Sequence, residues 1–407
     1  MQEINTTNFN LYSPENERAN IQLGISRVKN ALNKLDNPCI NIPAIQVVGT
    51  NGKGSITAFI ENILCAADIS VGVATSPHLI DITERIRFKK NKIKKNELDH
   101  YLSKTQKKLS EFKLSPFESI ICSSMQYFHH KKATLLILEA GLGGRLDATT
   151  AHKDRSIIAI SKIDIDHSEY LGESVKEIAK EKAAVIEKNS EVISCEQSLE
   201  AKNIINQRVK EVGAKMHWVK PLSKKWELGL KGYFQRENAA VALGVIEILC
   251  QKGWNINRQL IKKSLAETKW PGRMEIISWG TKKILLDSAH NPLGAKVLAE
   301  ERKSWVNQEK GIYWIIGVQK QKNIKGIINN LRKPKDKFLL VPVPNQKSWT
   351  LEEITELSDF DSKYITEFKN LNNALNFLIS GKWPECHPVL TGSIFLVSEF
   401  LKITSYL

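Results

Sequence analysis

The stretch QVVGTNGKGSITAFIENIL, Gln46 to Leu64, decides how the chain reads. Ala44 to Val48 is a short apolar run of strand length. Ile56, Phe59, Ile60, Ile63, Leu64 and Ala67 recur at helical spacing and predict one face of a helix. Between strand and helix lie Gly49, Gly52 and Gly54. This is the layout of a phosphate cradle. Glycines let the backbone approach a phosphate, and a helix start offers free N–H groups and the positive end of a dipole. Asn51, Gly52, Lys53, Gly54 and Ser55 are therefore the expected nucleotide-binding residues. Lys53 sets a charge against the β- and γ-phosphates, and the Ser55 hydroxyl suits Mg²⁺. A glycine-rich turn with an incidental lysine is the plain alternative, and the strand–turn–helix context argues against it. Only Thr50 and Asn51 separate Gly49 from Gly52-Lys53, so the loop is shorter than the common G-x-x-x-x-G-K-[ST] form.

Working outward, the 407 residues suggest two or three domains, 42% hydrophobic and 25% charged as in globular proteins. No apolar run approaches the roughly 18 residues of a spanning helix. The polar N-terminus lacks the layout of a signal peptide. A cytoplasmic protein is expected. Six scattered cysteines without a CxxC pair argue against a zinc ribbon or disulfide framework. The net charge is +15, and Lys89–Lys113 carries nine lysines against three acids. Without interleaved aromatics, that stretch reads as a solvated face rather than a nucleic-acid site. A basic surface also steers polyanionic small substrates.

Short apolar runs precede Gly49, end at Glu139, and recur at Ser156, Lys283, Ile312 and His387, with helical patterns between them. They predict parallel strands in α/β layers, with functional residues at the carboxyl ends. Trp270-Pro271-Gly272 interrupts a helical pattern. The expected organisation is an ATP-binding domain over 1–269, a linker over 270–276 and a smaller Rossmann-like α/β domain over 277–407.

Several strand-end residues suit chemistry. Glu139 is a good ligand for Mg²⁺. Ser76 and His167 end other strands, although each alone reads as a capping or loop residue. Lys182 shares a helix face with Val175, Ile178, Ala179, Ala183 and Ile186 in the stretch read as a helix over 174–186. A buried ammonium is costly, so Lys182 either snorkels to water or becomes a neutral amine able to add CO₂. The residue pattern alone favours snorkelling. Arg273 could offset phosphate charge, and Asp287 could accept ribose hydroxyls. A surface arginine and an N-cap aspartate are the plain readings.

The short GTNGKGS loop resembles that of the Mur ligase superfamily. Eight ordered motifs look like folylpolyglutamate synthase/dihydrofolate synthase: TSPHLIDITERIRF, SPFES, LEAGLGGRLDATT, DIDHSEYLGESVKEIAKEKAAVIE, FQRENAAVAL, WPGRMEI, DSAHNP and LTGSIFLVSEFL. The resemblance implies ATP-dependent ligation of L-glutamate to dihydropteroate or a reduced folate through an acyl phosphate. It implies ATP, two Mg²⁺ sites and a monovalent cation. It assigns metal binding to Ser55, Ser76, Glu139, His167 and Lys182, the last as a carbamate. It assigns ATP contacts to Asn238, Arg273, Asp287 and His290, so that ATP would bridge two domains. On the substrate side it assigns Asp81, Arg85, Phe117, Glu118, Leu146, Asp147 and Ala148. Lys53, His167, Lys182 and Arg273 are the implied catalytic set. The implied partners are small molecules, with no nucleic acid or membrane, and the implied state is a monomer.

The sequence departs from the family pattern at Thr150 (DATT for DATN), Phe234-Gln235 (for HQ), Ser288 (for a glycine) and Gly317–Asn323, which lacks the acidic residues. The rival readings are another Mur-type ligase acting on a cell-wall nucleotide, a P-loop kinase and a nucleic-acid-binding protein.

Overall fold

A computed structural model describes residues 12, 21–357, 362–381 and 383–404. Two compact units divide it. The first runs up to Gly229 and resumes over Phe234–Lys269; the second takes Leu230–Tyr233 and the chain from Trp270 onward.

In the first unit, β1 (Ala44–Val48), β2 (Val71–Ala74), β3 (Ile86–Phe88), β4 (Asn91–Lys92), β5 (Leu135–Glu139), β6 (Ile157–Ile160), β7 (Glu191–Cys195) and β8 (Lys215–Val219) form one sheet. Its order is β4-β3-β2-β5-β1-β6-β7-β8. β1 pairs in parallel with β5 and β6, and β2 in parallel with β5; β3 and β4 run antiparallel at the edge. The central strands are buried end to end and, Gln46 and Glu139 aside, lack charged or amide side chains, because they are covered on both faces. One core cluster joins Val28, Leu32, Leu102, Phe128 and Leu136; another joins Ile160, Ile178, Ala179, Ile186 and Val192.

The helix after β1 spans Lys53–Ala66. Every residue from Ser55 to Leu64 is buried, where the spacing predicted a single apolar face. The Gln235–Gln251 and Arg258–Glu267 helices pack against it, so its polar positions need internal partners. Asn62 Nδ2 donates to Ser264 O at 2.5 Å and Thr268 Oγ1 at 3.2 Å. Glu61 meets Arg87.

The second unit has β9 (Glu275–Trp279), β10 (Lys282–Leu286), β11 (Tyr313–Ile316), β12 (Lys337–Leu340), β13 (Ile365–Glu367) and β14 (Val389–Thr391). Their order is β13-β12-β11-β14-β10-β9, parallel apart from β9. Glu275 and Ile276, expected in a linker, pair with Leu286 and Leu285 in β9. The chain re-enters regular structure sooner than the Trp-Pro-Gly break suggests, because a two-strand pairing needs no helical pattern. Four cysteines (Cys39, Cys122, Cys195, Cys386) are buried, and all six are free thiols.

Candidate active site

The register of the first sheet sets the site. Val47 lies opposite Glu139, and Val48 opposite Ile160. The carboxyl ends of β1, β2, β5 and β6 therefore bring the Gly49 loop, Ser76, Glu139 and Ser161 to one rim.

The loop backbone requires its glycines. Gly52 has φ 101° at the helix N-cap, and a Cβ there would lie 2.4 Å from Asn238 Oδ1. Gly49 has φ 140°, and a Cβ there would lie 1.9 Å from Ser161 Oγ. Thr50 Oγ1 accepts from Asp164 N at 3.1 Å and donates to Asp164 O at 2.9 Å. Asn51 bridges Lys162. The loop is thus fastened to the chain that follows β6.

Two lysines converge on it. Lys53 Nζ donates to Gly49 O at 3.1 Å and to Thr50 O at 3.2 Å. Lys182 Nζ donates to the same Gly49 O at 2.9 Å. Lys182 is 5% exposed, so it does not snorkel. Burial, with Lys53 adding repulsion, pushes its amine down to about 7. Its helix covers Val175–Ala183, shorter than expected; Ala184 to Ile186 leave the helix, yet Ile186 stays buried.

The other strand-end residues follow. Ser55 is buried and accepts from Gln235 Nε2 at 3.2 Å; Asn238 Nδ2 in turn donates to Gln235 Oε1 at 2.9 Å. Gln235, next to the Phe234 departure and itself the glutamine of the family pattern, thereby links Ser55 to Asn238. A Cβ on Gly141 would lie 3.0 Å from both Ser76 Oγ and Phe117 Cζ, which sets Ser76 and Phe117 side by side. His167 has φ 53° ahead of the short Ser168–Leu171 helix and lies 4.0 Å from Asp166. Among the described residues no three His, Cys, Asp or Glu side chains group to hold a metal. A cation here would draw on Glu139, the Ser55 and Ser76 hydroxyls and phosphate oxygens, a hard-oxygen set that suits Mg²⁺.

Several residues expected on the substrate side have internal partners. Asp147 is buried; Oδ2 accepts from Gly141 N (2.9 Å) and Leu142 N (3.0 Å), and Oδ1 from Thr149 N (2.9 Å) and Thr149 Oγ1 (2.5 Å). Burial raises its carboxyl, against the pull of those bonds. Leu146 is half-buried and Ala148 buried in the same turn. Glu118 caps its own helix through Ser115 N at 2.7 Å and pairs with Arg27 at 2.9 Å. Arg85 has no exposed surface and donates to His78 Nδ1 at 2.9 Å. Asp81 accepts from Thr83 N at 2.9 Å. Burial raises the Asp81 carboxyl, but the Thr83 bonds outweigh it and leave it below its ordinary value.

The sequence reading missed Ser161 and Gln46. Ser161 is fully buried, and its Oγ has no hydrogen-bond partner among the described residues. Gln46 is fully buried in β1; it donates to Thr149 (3.1 Å) and Thr150 (2.7 Å) and accepts from Arg155 (2.7 Å). Thr150 also donates to Gly144 O at 2.7 Å. A lone serine after a strand and a glutamine inside one carry no local signal; only apolar neighbours around Gln46 hint that it needs a buried partner.

In the second unit, Asp287 directly follows β10 and is buried, accepting from Met274 N (3.1 Å) and Ala289 N (2.9 Å). Burial raises its carboxyl, opposed chiefly by Arg273. Arg273 donates to Ser288 Oγ, and Ser288 Oγ to Gly272 O at 3.0 Å. His290 Nδ1 meets Ser288 O at 2.9 Å. Ser288, where the family has glycine, ties the Gly272-Arg273 segment to the end of β10.

Two α/β units, one opening on a short phosphate loop with a buried lysine beneath it, define a class: the ATP-dependent acid–amino-acid ligases. Residues 273–403 match the family model described as "Dihydrofolate synthetase, C-terminal domain". A probable dihydrofolate synthetase of Schizosaccharomyces pombe is 30% identical over 78% of this chain and 81% of its own. The dihydrofolate synthase/folylpolyglutamate synthase of Buchnera aphidicola (Schizaphis graminum) is 30% identical over 88% and 87%. The Yersinia pestis bifunctional enzyme, solved with AMPPNP and Mn ion, superposes with a TM-score of 0.83 at 26% identity, covering 95% of this chain and 94% of that one. E. coli FolC with DHPP and ADP gives a TM-score of 0.85 at 25% identity over 95% and 94%. The chain belongs to the dihydrofolate synthase/folylpolyglutamate synthase family.

Proposed function

We propose that this chain joins L-glutamate to the carboxyl group of dihydropteroate, of a reduced folate, or of both, with ATP and a divalent metal. A carboxylate does not acylate an amine at neutral pH. Attack of the acceptor carboxylate oxygen on the γ-phosphorus of ATP forms an acyl phosphate and releases ADP. The glutamate amine then attacks the acyl carbon, phosphate leaves with the C–O bond electrons, and the amine gives up a proton. The protein's task is alignment and charge compensation.

The convergence of Lys53 and Lys182 on Gly49 O supports this reading most. Lys53 is the proposed charge against the transferring phosphoryl group. Lys182, with an amine near 7, is half neutral at that pH and can form a carbamate. As an anion it would join Ser55, Ser76, Glu139 and His167 as ligands for Mg²⁺, which supplies electrostatic stabilisation when bound. Asn238 in the first unit and Arg273, Asp287 and His290 in the second are proposed nucleotide contacts. Phe117, Leu146 and Ala148 are proposed to flank the pterin, with Asp81, Arg85, Glu118 and Asp147 shaping the surrounding loops. The domain limits of 1–269 and 277–407 are proposed with these roles. No described helix is long and apolar enough to cross a membrane; a cytoplasmic monomer acting on small molecules is proposed.

Purified protein with MgATP, labelled glutamate and each acceptor should yield amide, ADP and phosphate in equal amounts. Absence of product from every pteroate and folate acceptor overturns the proposal. Lys53→Ala should stay folded and lose about a hundredfold or more in turnover.

A further inference from the structure

Arg87 on β3 is 6% exposed and reaches in two directions. Nε and Nη2 donate to the Glu61 carboxylate at 2.8–3.0 Å. Nη1 donates to Thr75 Oγ1 at 2.9 Å and to Glu84 O at 2.7 Å. Glu61 sits on the helix that starts at Lys53. Thr75 directly precedes Ser76, and Glu84 closes the segment that follows. The Glu84 carboxylate accepts from Leu79 N (2.8 Å), Ile80 N (3.3 Å) and Asp81 N (3.2 Å), drawing the turn onto itself. One guanidinium therefore holds the phosphate-loop helix by a forked ion pair and the Thr75–Glu84 segment by its remaining nitrogen.

We propose that Arg87 is a positioning residue that couples the phosphate-loop helix to the Thr75–Glu84 segment, holding Ser76 and Asp81 in register with Lys53. The proposal rests on the functional reading above for what that register serves. Arginine alone suits the position, because its planar fork makes both sets of bonds at once; lysine is a single point charge on a flexible stem. Here the third nitrogen is spent on a hydroxyl and a carbonyl of the segment that carries the proposed ligands.

Thr75→Val removes one of the two Nη1 contacts and leaves the Nη1–Glu84 O bond and the Glu61–Arg87 pair, so folding is retained while the segment is held more weakly. Amide exchange at Leu79, Ile80 and Asp81 in the substrate-free protein should quicken about tenfold, the loss expected from one hydrogen bond to a charged group. KM for the acceptor and half-saturating Mg²⁺ should rise by a similar factor, with KM for ATP little changed, and Thr75→Ser should restore all three. Arg87→Lys should show a larger version of the same pattern; if it does not fold, Thr75→Val carries the test alone. Wild-type exchange and wild-type acceptor KM in Thr75→Val overturn the coupling. The exchange measurement needs no substrate, so it still decides the coupling if the wild-type protein makes no amide product, a result that would sink the functional reading instead.

Discussion

Lys182 and Asp147 are both charged residues buried in the same part of the first unit. A Cβ on Gly144, three residues before Asp147, would lie 3.2 Å from Lys182 Cα. Their surroundings differ sharply. Asp147 accepts four hydrogen bonds from Gly141, Leu142 and Thr149. The Lys182 amine, with three protons to place when charged, donates to Gly49 O. A carboxylate so engaged is suited to shaping the glycine-rich turn, the role proposed for it above. An amine in a dry site with a second lysine nearby is held close to neutrality and open to chemistry. Burial alone does not tell these two charges apart; the number of partners does.

The largest test of that contrast is Lys182→Ala, which should cost about a thousandfold in ligation if a metal ligand is lost. High acetate should restore part of it by filling the vacated space with a carboxylate. Lys182→Arg should stay inactive, since it remains positive. Near-normal activity in Lys182→Ala would abolish the contrast from one side. Asp147→Asn probes the other side. Its amide would turn N–H groups toward backbone donors, so unfolding in urea should show a loss of about 2–4 kcal/mol. Acceptor KM per folded molecule should stay within a few-fold. A large KM rise with unchanged stability would return Asp147 to the substrate side.

The third test uses pH. The Lys182 amine lies near 7 in the fold and ordinarily at 10.5. Below about pH 7 both folded and unfolded chains carry its proton, and the fold bears a buried charge. Between about 7 and 10.5 the unfolded chain binds more protons, so stability of the unmodified protein rises with pH. The upper limit of the gain is on the order of 5 kcal/mol. In CO₂-free buffer, wild type should gain on Lys182→Met across this window; a constant difference would refute the shifted amine. The smallest effect belongs to Arg145–Glu181, an exposed pair at 2.8 Å beside both residues. Arg145→Ala should cost less than about 1 kcal/mol.

The strand–loop–helix at Ala44–Ala66 was legible because hydrophobic period and glycine placement agree there. Lys182 stood out because a lysine on an apolar face breaks its own pattern. Glu118, Asp147 and Asp81 were less legible as to role. Each lies where capping chemistry and ligand chemistry demand the same residue, Ser115 to Glu118 being a capping box and Asp147 an N-cap. Ser161, Gln46 and the Arg87–Glu61 tie depend on register between distant strands and on helix packing, which no local spacing encodes. Arg85 illustrates the same limit: nothing in TERIR distinguishes the arginine that lies wholly inside from one that faces a ligand.

Gly49 carries a last consequence. Its φ of 140° disfavours any side chain, and Ser161 Oγ occupies the place where one would begin. Shrinking Ser161 would clear the space but not the backbone angle. In a saturation library the two positions should therefore behave oppositely: codon 161 should tolerate small replacements, while codon 49 should return glycine alone, even when 161 is randomised with it.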